Sequence, residues 1–198
     1  MTSLDAYVVG EVIGKGSFGE VKKAVRRETG ETVVLKTIDL SALSESEIDS
    51  ISKEAEVLEH LRHDHIVRYH ECFTHNVHNI VIVMEYCGGG DLQNYLRARR
   101  DAGAPIPEAE AVSMLAQIAL ALRYCHERRI LHRDLTPSNV YRTADGQLKL
   151  GAQRVAARFF FFKCCSARAL RTRIASFAHH SRHLTGAIST RLFSAPRP

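Results

Sequence analysis

The sequence predicts an α+β chain of two lobes, in which strands come first and helices follow them. Three observations support this fold class: β-branched runs occupy residues 7–39, the longest helical pattern begins only at Pro107, and no regular pattern continues beyond residue 151. The charge changes at the same point, because all 22 Asp and Glu residues precede residue 152 and nine Lys and Arg residues follow it. Residues 152–198 are therefore interpreted as a separate basic tail.

Composition is typical of a soluble globular protein in a reducing compartment. Apolar residues make up 45% and charged residues 25% of the chain. No apolar run approaches the roughly 20 residues of a membrane-spanning helix, and the amino terminus lacks the basic and apolar regions of a signal peptide. The five cysteines include no CxxC pair, so no disulfide framework is predicted. The histidines between residues 60 and 78 lack metal-ligand spacing, so no metal centre is predicted among them.

The first half of the chain is predicted to form five strands and one helix. The strands are "YVVGEVIG", "GEVKKAV", "TVVLKTI", "VRYHECF" and "NIVIVMEY", which are β-branched or alternating runs bounded by turn residues. The helix lies between the third and fourth strands, where Ser44 and Glu47 form a capping box. Its apolar residues recur at helical spacing: Ile48, Ile51, Ala55 and Leu58.

The second half is predicted to be mainly helical. Asp91 can cap a short helix, whose last turn carries basic residues that suit the helix dipole: Arg97, Arg99 and Arg100. Pro107 opens a longer helix that reaches residue 129. Its predicted buried stripe consists of Val112, Leu115, Ile118, Ala119 and Leu122. The segments "RILH", "NVYR" and "QLKL" predict short strands around the turn "ADG".

The stretch "IGKGSFGEV" predicts a phosphate-binding turn. Gly14, Gly16 and Gly19 let the backbone approach phosphate oxygens and present N–H groups to them. Dinucleotide-binding folds share the GxGxxG spacing, but their motif begins a helix, whereas this one leads into the strand "VKKAV". Glu20 excludes the Gly-Lys-Ser/Thr of a P-loop, and Val21 completes the pattern GxGxxGxV.

The stretch "ILHRDLTPSNV" is the most specific motif in the chain. His132, Arg133, Asp134, Leu135 and Asn139 fit H-R-D-L-x-x-x-N without a gap, downstream of the glycine turn. From about residue 7 to Gly151 the chain resembles the protein kinases. More narrowly, "KTIDL", "HIVRYHECF" and "VMEYCGGGDL" are similar to segments of the NIMA-related serine/threonine kinases.

The resemblance implies a two-lobed protein-kinase fold with ATP in the cleft between the lobes. A complete small lobe would span residues 1–87, and an incomplete large lobe would span residues 88–151. The tail, residues 152–198, would lie outside the family fold. The chain is thus expected to depart from the family after the strand that precedes the Asp-Phe-Gly motif, as a truncated kinase.

The resemblance also implies roles for individual residues. Lys36, on the third strand, would contact the phosphates, and an ion pair with Glu54 would orient its amine. Asp134 would accept the proton of the substrate hydroxyl, and Asn139 would bind Mg²⁺. The nucleotide would further contact the glycine turn, the segment that joins the lobes and a nearby carboxylate: Ile13, Gly14, Lys15, Gly16, Ser17, Phe18, Gly19, Glu20, Val21, Glu85, Cys87 and Asp91.

Two positions depart from the family pattern. Thr136 stands where serine/threonine kinases usually carry lysine, and losing that cation is expected to slow the transfer of a negatively charged phosphoryl group. Ala152, Gln153 and Arg154 stand where kinases have Asp-Phe-Gly, and alanine cannot ligate Mg²⁺. Losing that metal anchor is expected to cost at least about 10²–10³ in rate. We therefore expect activity to be severely reduced or absent.

The tail stands where the family has its activation segment and the later helices of the large lobe. Three interpretations of it remain open: translation out of frame, a basic arm for nucleic acid or acidic surfaces, and a membrane-surface helix. The first is favoured, because register, composition and charge all change at one point. Apart from such an arm, no nucleic-acid partner is expected.

The function implied by the resemblance is ATP-dependent phosphorylation of Ser and Thr hydroxyls on protein substrates, with ATP and Mg²⁺ bound. The alternative, which the missing carboxylate favours, is an inactive ATP-binding or scaffold fragment. Family resemblance also implies a cytoplasmic location in association with the cytoskeleton. The sequence gives no indication of the oligomeric state.

Overall fold

The computed structural model describes residues 3–16, 19–41, 43–44, 46, 59–76 and 78–151. Glu47, Glu54 and the apolar residues of the first predicted helix lie outside these ranges, as do residues 152–198, so the expectations for them stay predictions.

A five-stranded antiparallel sheet dominates the amino-terminal half, as predicted. Its strands are β1 (Tyr7–Gly16), β2 (Gly19–Arg26), β3 (Thr32–Asp39), β4 (Tyr69–His75) and β5 (Asn79–Glu85). Their order across the sheet is β1-β2-β3-β5-β4, so the strands β3 and β5 lie side by side near its centre. Each of these two central strands has a run of consecutive buried residues, which is typical of strands covered on both faces.

Apolar side chains from all five strands form the sheet's core. Tyr7 on β1 stacks on Phe73 of β4, with ring centroids 6.1 Å apart. Burying a large apolar side chain contributes roughly 1.5–3 kcal/mol, so the cluster stabilises the whole sheet. Its members are Tyr7, Ala24, Val33, Leu35, Phe73, Val81 and Val83.

Two helices and a hairpin follow the sheet. They are α1 (Leu92–Asp101), α2 (Glu108–Glu127), β6 (Val140–Arg142) and β7 (Leu148–Leu150), with a 3₁₀ turn at Pro137–Asn139 just before β6. Asp91 caps α1 as predicted, because its Oδ1 accepts a hydrogen bond of 2.8 Å from the Asn94 N–H. Arg99 and Arg100 lie in the last turn of α1, whereas Arg97, also predicted there, precedes it. Within the described ranges, neither helix combines the length and apolarity that a membrane span requires.

The helix α2 forms where predicted, but the prediction of its buried stripe is wrong. Val112 and Leu115 are 60% and 67% exposed, and the buried residues are Ala121 and Cys125. The reason is that α2 packs on β7 through another face, where Gln117 contacts Leu148. Gln117, Ala121 and Cys125 are spaced by four residues and therefore share that face. The predicted stripe lies on a different face of the helix.

The prediction of short strands is right for "NVYR" and "QLKL", which form β6 and β7, and wrong for "RILH". Only Leu131 of that segment takes part in a bridge, and it does so in isolation. Arg129, the first residue of the segment, and Arg133, which follows the segment, have positive φ angles of 58° and 61°. Such angles are incompatible with an extended strand. The chain therefore turns through this segment on its way to the 3₁₀ turn.

Candidate active site

The predicted phosphate-binding glycines lie at the adjoining ends of two paired strands. β1 ends at Gly16 and β2 begins at Gly19, so the motif does not begin a helix, and the dinucleotide-binding alternative is excluded. A Cβ on Gly19 would overlap the backbone carbonyl oxygen of Thr37 on β3. Only glycine fits this position, because the hairpin approaches the neighbouring backbone too closely for a side chain.

The strands on either side of the turn carry further predicted nucleotide contacts. Ile13 and Lys15 are exposed, and Gly14 pairs across the hairpin with Val21, which is half-buried. The exposed apolar surface of Ile13 is suited to contact with a planar base. Glu20 forms an ion pair of 3.1 Å with Lys22, and such a solvated pair contributes little to stability. Two predicted contacts of the turn, Ser17 and Phe18, lie outside the described residues.

Lys36 lies in the middle of the sheet, next to the glycine hairpin. It pairs in register with Val21 of β2 on one side and with Ile82 of β5 on the other. Directly opposed residues on antiparallel strands have Cβ atoms roughly 5 Å apart, so the Cβ atom of Lys36 lies close to the strand that follows the glycines. The ion pair of Lys36 with Glu54 stays a prediction, because Glu54 lies outside the described residues.

The predicted adenine-binding strip, Glu85 to Cys87, begins with a residue held by three contacts. The Glu85 N–H donates to the Arg68 carbonyl at 2.9 Å, its Oε2 accepts from the Arg68 N–H at 3.1 Å, and its Oε1 lies 3.0 Å from the Lys149 Nζ. Burial raises the pKa of the Cys87 thiol to about 11, and the Glu85 carboxylate adds to this effect. The thiol is therefore neutral near pH 7.

Asp91 has a structural task alongside its predicted ribose contact. Its Oδ1 accepts from the Asn94 N–H at 2.8 Å and its Oδ2 accepts from the Asn94 side-chain amide at 2.7 Å. An ionised carboxylate has about four acceptor sites, so these two bonds leave capacity for a ribose hydroxyl. The ribose contact itself stays a prediction.

The structure brings Asp134 and Asn139 together. The buried Asn139 side chain donates from Nδ2 to the Asp134 carbonyl oxygen and to the Asp134 Oδ2, both at 2.9 Å. A hydrogen bond of 3.0 Å from the Asn139 N–H to the Thr136 carbonyl closes the turn that fixes this geometry. The exposed Thr136 hydroxyl contacts that of Ser138 at 2.9 Å. Because the amide NH₂ makes both bonds to Asp134, its Oδ1 is the atom suited to a cation.

Contacts of Gly151 anchor residues 132–139, named here the catalytic loop after their motif, to the β6–β7 hairpin. The Nε2 atom of the buried His132 donates to the Gly151 carbonyl at 2.6 Å, since a carbonyl oxygen can only accept. The Gly151 N–H donates in turn to the Asn139 carbonyl at 2.8 Å. Between His132 and Asp134, the positive φ of Arg133 turns the chain, a strained geometry that is common at functional sites. The sequence marked His132 only as part of a motif, and this anchoring bond was not predicted.

These residues fit a Mg²⁺ site in part. The oxygens of Asn139 and Asp134 are hard donors of the kind that Mg²⁺ prefers. Within the described part of the chain, no group of three His, Cys, Asp or Glu side chains is placed to hold a metal ion. Ala152, the residue after Gly151, brings no side-chain oxygen.

A cavity of about 620 Å³ is lined by residues other than the predicted nucleotide contacts. Its lining consists of Asp64, His65, Gln117, Gln147 and Lys149. None of these five is a residue that the sequence marked for nucleotide or metal. The cavity nevertheless borders the candidate site, because Lys149 also contacts Glu85.

Comparison with known proteins agrees with this geometry. The family model described as the protein kinase domain matches residues 7–157. The mouse serine/threonine-protein kinase Nek1 is 38% identical over 148 residues, which are 75% of this chain and 12% of that relative. Mouse serine/threonine-protein kinase Nek4 is 38% identical over 151 residues, which are 76% of this chain and 19% of that relative.

A third relative belongs to another kinase group. The human NUAK family SNF1-like kinase 2 is 40% identical over 141 residues, which are 71% of this chain and 22% of that relative. The chain thus spans less than a quarter of the length of each of these three relatives. With its glycine hairpin, central lysine and paired Asp134 and Asn139, the chain belongs to the protein kinase family and resembles its NIMA-related serine/threonine members.

Proposed function

We propose that this chain binds ATP between the glycine turn and the catalytic loop and transfers its γ-phosphoryl group to Ser or Thr hydroxyls of proteins at a strongly reduced rate. The observation that carries the proposal is the contact between Asn139 and Asp134, both of whose bonds measure 2.9 Å. This contact holds a carboxylate and an amide oxygen in one short loop, which is the arrangement that phosphoryl transfer requires.

Asp134 is the proposed general base of this reaction. Asn139 holds the Asp134 Oδ2, so the Oδ1 atom is the one that would orient a substrate hydroxyl and accept its proton. Lys36 would place a positive charge on the phosphates. When bound, Mg²⁺ would neutralise charge on the phosphate oxygens, and Asn139 is the described residue that would hold it. Thr136 supplies only a hydroxyl where the family usually has a cation, which lowers the expected rate further.

The second candidate function is nucleotide binding without turnover, as an inactive or scaffold fragment. The specific observation in its favour is Ala152, which stands where the family has the Mg²⁺-binding aspartate. The glycine hairpin and the strip after β5 would still bind nucleotide, because their proposed contacts do not depend on that carboxylate. The two candidates thus share a binding step and differ in chemistry.

Phosphotransfer and nucleotide binding, measured on the same 198-residue preparation, distinguish the two candidates. We expect ATP with Mg²⁺ to raise the melting temperature and radiolabelled phosphate to reach a generic Ser/Thr protein substrate slowly. Asp134→Asn, which keeps the shape of the side chain, should abolish that transfer. A thermal shift without any transfer above the Asp134→Asn background would support the scaffold candidate and reject the enzyme.

Restoring the missing carboxylate is the complementary experiment. Because one preorganised electrostatic group is worth roughly 10²–10³ in rate, Ala152→Asp should raise phosphotransfer by up to that factor and increase its dependence on Mg²⁺. Ala152→Asn, which has the same size without the charge, is the matched control. Equal rates for wild type and Ala152→Asp would contradict the assignment of this position.

The proposal also carries a domain assignment and a location. We assign residues 1–87 to the small lobe, residues 88–151 to the first part of the large lobe and residues 152–198 to a basic tail. A cytoplasmic, cytoskeleton-associated location is proposed from the family alone. Imaging of a fluorescent fusion with and without residues 152–198 tests both the location and any contribution of the tail.

A further inference from the structure

We infer that the ion pair between Glu85 and Lys149 sets nucleotide affinity by fixing the adenine-binding strip to the β6–β7 hairpin. Lys149 is in this view a positioning residue, which acts on the nucleotide through Glu85 and does not touch it. The inference rests on the proposed nucleotide binding and adds to it a residue that determines affinity from outside the cleft.

The pair is sheltered from solvent. Lys149 Nζ and Glu85 Oε1 are 3.0 Å apart, and their side chains are only 14% and 27% exposed. The Arg123–Glu127 pair on α2, by contrast, has side chains that are 70% and 61% exposed and a separation of 3.6 Å. Solvated pairs of the second kind contribute little, whereas removing one partner of a sheltered pair leaves a poorly solvated charge.

Each member of the pair also makes a second hydrogen bond. The Lys149 Nζ also donates to the Asp64 carbonyl at 2.9 Å, and the Glu85 Oε2 accepts from the Arg68 N–H at 3.1 Å. Both of these partners belong to the segment that leads into β4. The end of β5, the strand β7 and this segment are therefore joined at one point, and the Glu85 carboxylate has both oxygens engaged.

The same strand also leads to the catalytic loop. Lys149 precedes Leu150, whose carbonyl accepts from the Val67 N–H at 3.0 Å, and Gly151, whose N–H donates to the Asn139 carbonyl at 2.8 Å. β7 thus connects the strip that would bind the base with the loop that would bind the metal. A strip that is already in its binding geometry loses less entropy when the nucleotide binds, so the pair favours affinity through preorganisation.

If Lys149 has this role, its loss should weaken every ligand that contains the adenine base, with or without phosphates. Glu85 and Cys87 belong to the strip proposed to contact adenine, so losing the pair should weaken adenosine, ADP and ATP alike. We expect Lys149→Met to raise all three dissociation constants by roughly threefold to tenfold, in keeping with measured coupling between contacting residues. Lys36→Met should instead weaken ADP and ATP and leave adenosine nearly unchanged, because Lys36 is proposed to contact the phosphates.

The experiment is a titration of each variant of the full 198-residue chain with the three ligands by calorimetry, together with a melting curve. Arg123→Met is the matched control, because it removes an exposed cation with the same substitution and should change no dissociation constant. Lys149→Arg keeps the charge and should keep the affinity, which separates a lost ion pair from a misfolded chain. Glu85→Gln combined with Lys149→Met should bind no more weakly than Lys149→Met alone, since both changes break one contact.

Each outcome decides the matter. Unchanged affinities in a folded Lys149→Met chain, or a loss confined to ADP and ATP, would overturn the inference while leaving the proposed function in place. Losses that add up in the double variant would also overturn it. If the wild-type chain bound none of the three ligands, the proposed function would fail first, and the inference would fail with it.

Discussion

Gly14 and Gly19 belong to one turn but differ in the space around them. A Cβ on Gly19 would overlap the Thr37 carbonyl, whereas a Cβ on Gly14 would meet Val21 at an ordinary contact distance of 3.6 Å. Because backbone cannot yield as a side chain does, we expect Gly19→Ala to lower the free energy of unfolding by about 1–3 kcal/mol. Gly14→Ala, the matched control, should change it by less than about 0.5 kcal/mol. Urea denaturation measures both, and equal losses would show that the hairpin approaches β3 less closely.

His63 gives the chain a pH-dependent stability. Its pKa lies below the ordinary value of 6.5, chiefly because the ring is partly buried and also because His65 is near, while Asp64 opposes the shift. Its Nδ1 accepts from the His65 N–H at 3.0 Å, a bond that protonation of this nitrogen would break. The unfolded chain therefore binds the proton more readily, so stability is full above pH 6.5 and falls as the pH drops below that value.

Replacing His63 should remove part of this dependence. His63→Asn keeps an acceptor oxygen close to the position of Nδ1 but does not titrate, so its melting temperature should fall less between pH 7 and pH 5 than that of the wild type. The melting temperature of His63→Asn should still fall somewhat with decreasing pH, because burial also lowers the pKa of His70. His126→Asn, at an exposed position in the last turn of α2, is the control and should follow the wild type. Identical slopes for His63→Asn and wild type would contradict this assignment.

At the scale of elements, the Gln117 side chain links α2 to the β6–β7 hairpin by a hydrogen bond. The Oε1 atom of Gln117 accepts from the N–H of the buried Leu148 at 2.7 Å. Gln117→Leu would leave that N–H without its acceptor, and an unsatisfied buried donor costs about 1–3 kcal/mol. Gln147→Leu makes the same substitution at an exposed position and should change the free energy of unfolding by less than about 0.5 kcal/mol. Chemical denaturation of both variants tests the difference, and a neutral Gln117→Leu would mean that water replaces the lost bond.

The elements differ in how far the sequence predicted them. Strand runs and the Asp91 cap depend on local chemistry, so they were predicted at nearly the observed bounds. The buried face of α2 was predicted wrongly, because periodicity identifies an apolar face but does not tell what covers it. The face that is covered carries Gln117 and Ala121. The false strand "RILH" has a suitable composition, but positive φ angles at Arg129 and Arg133 depend on the surrounding fold.

For the site, the sequence motifs indicated candidate residues, but they did not indicate the long-range contacts that hold those residues in place. Asp134 and Asn139 are close in sequence and their contact follows from a short turn, whereas their roles in catalysis and metal binding stay predictions. The bond between His132 and Gly151 and the pair between Glu85 and Lys149 join residues far apart along the chain. Such pairs depend on how β5, β7 and the catalytic loop come together, which no local pattern encodes.

At the scale of the whole molecule, the described residues form a complete small-lobe sheet and only part of a helical lobe. The sheet has a continuous apolar core, whereas α2 presents large apolar side chains to solvent. Val112 and Leu115 lie on one face of that helix, three residues apart. Contiguous exposed apolar surface promotes association. We therefore expect this helix face to promote self-association of the chain in solution.

This exposure leads to a prediction about the state of the chain in solution. The double substitution Val112→Gln and Leu115→Gln should reduce self-association, because it removes apolar surface that is 60% and 67% exposed at these two positions. The melting temperature should change little, since neither side chain is buried and glutamine is a good helix former. Sedimentation velocity over a range of protein concentrations measures the association directly.

The control for this variant is Arg123→Gln, a polar exposed position on the same helix, which should associate like the wild type. If the double variant associated as strongly as the wild type, another surface would have to drive the association. If it melted much lower, Val112 and Leu115 would have to be covered in solution, because a fully solvated side chain contributes little to the free energy of folding. A reduced association at unchanged melting temperature is the expected combination, since it requires a face that is apolar and open to water in the folded chain.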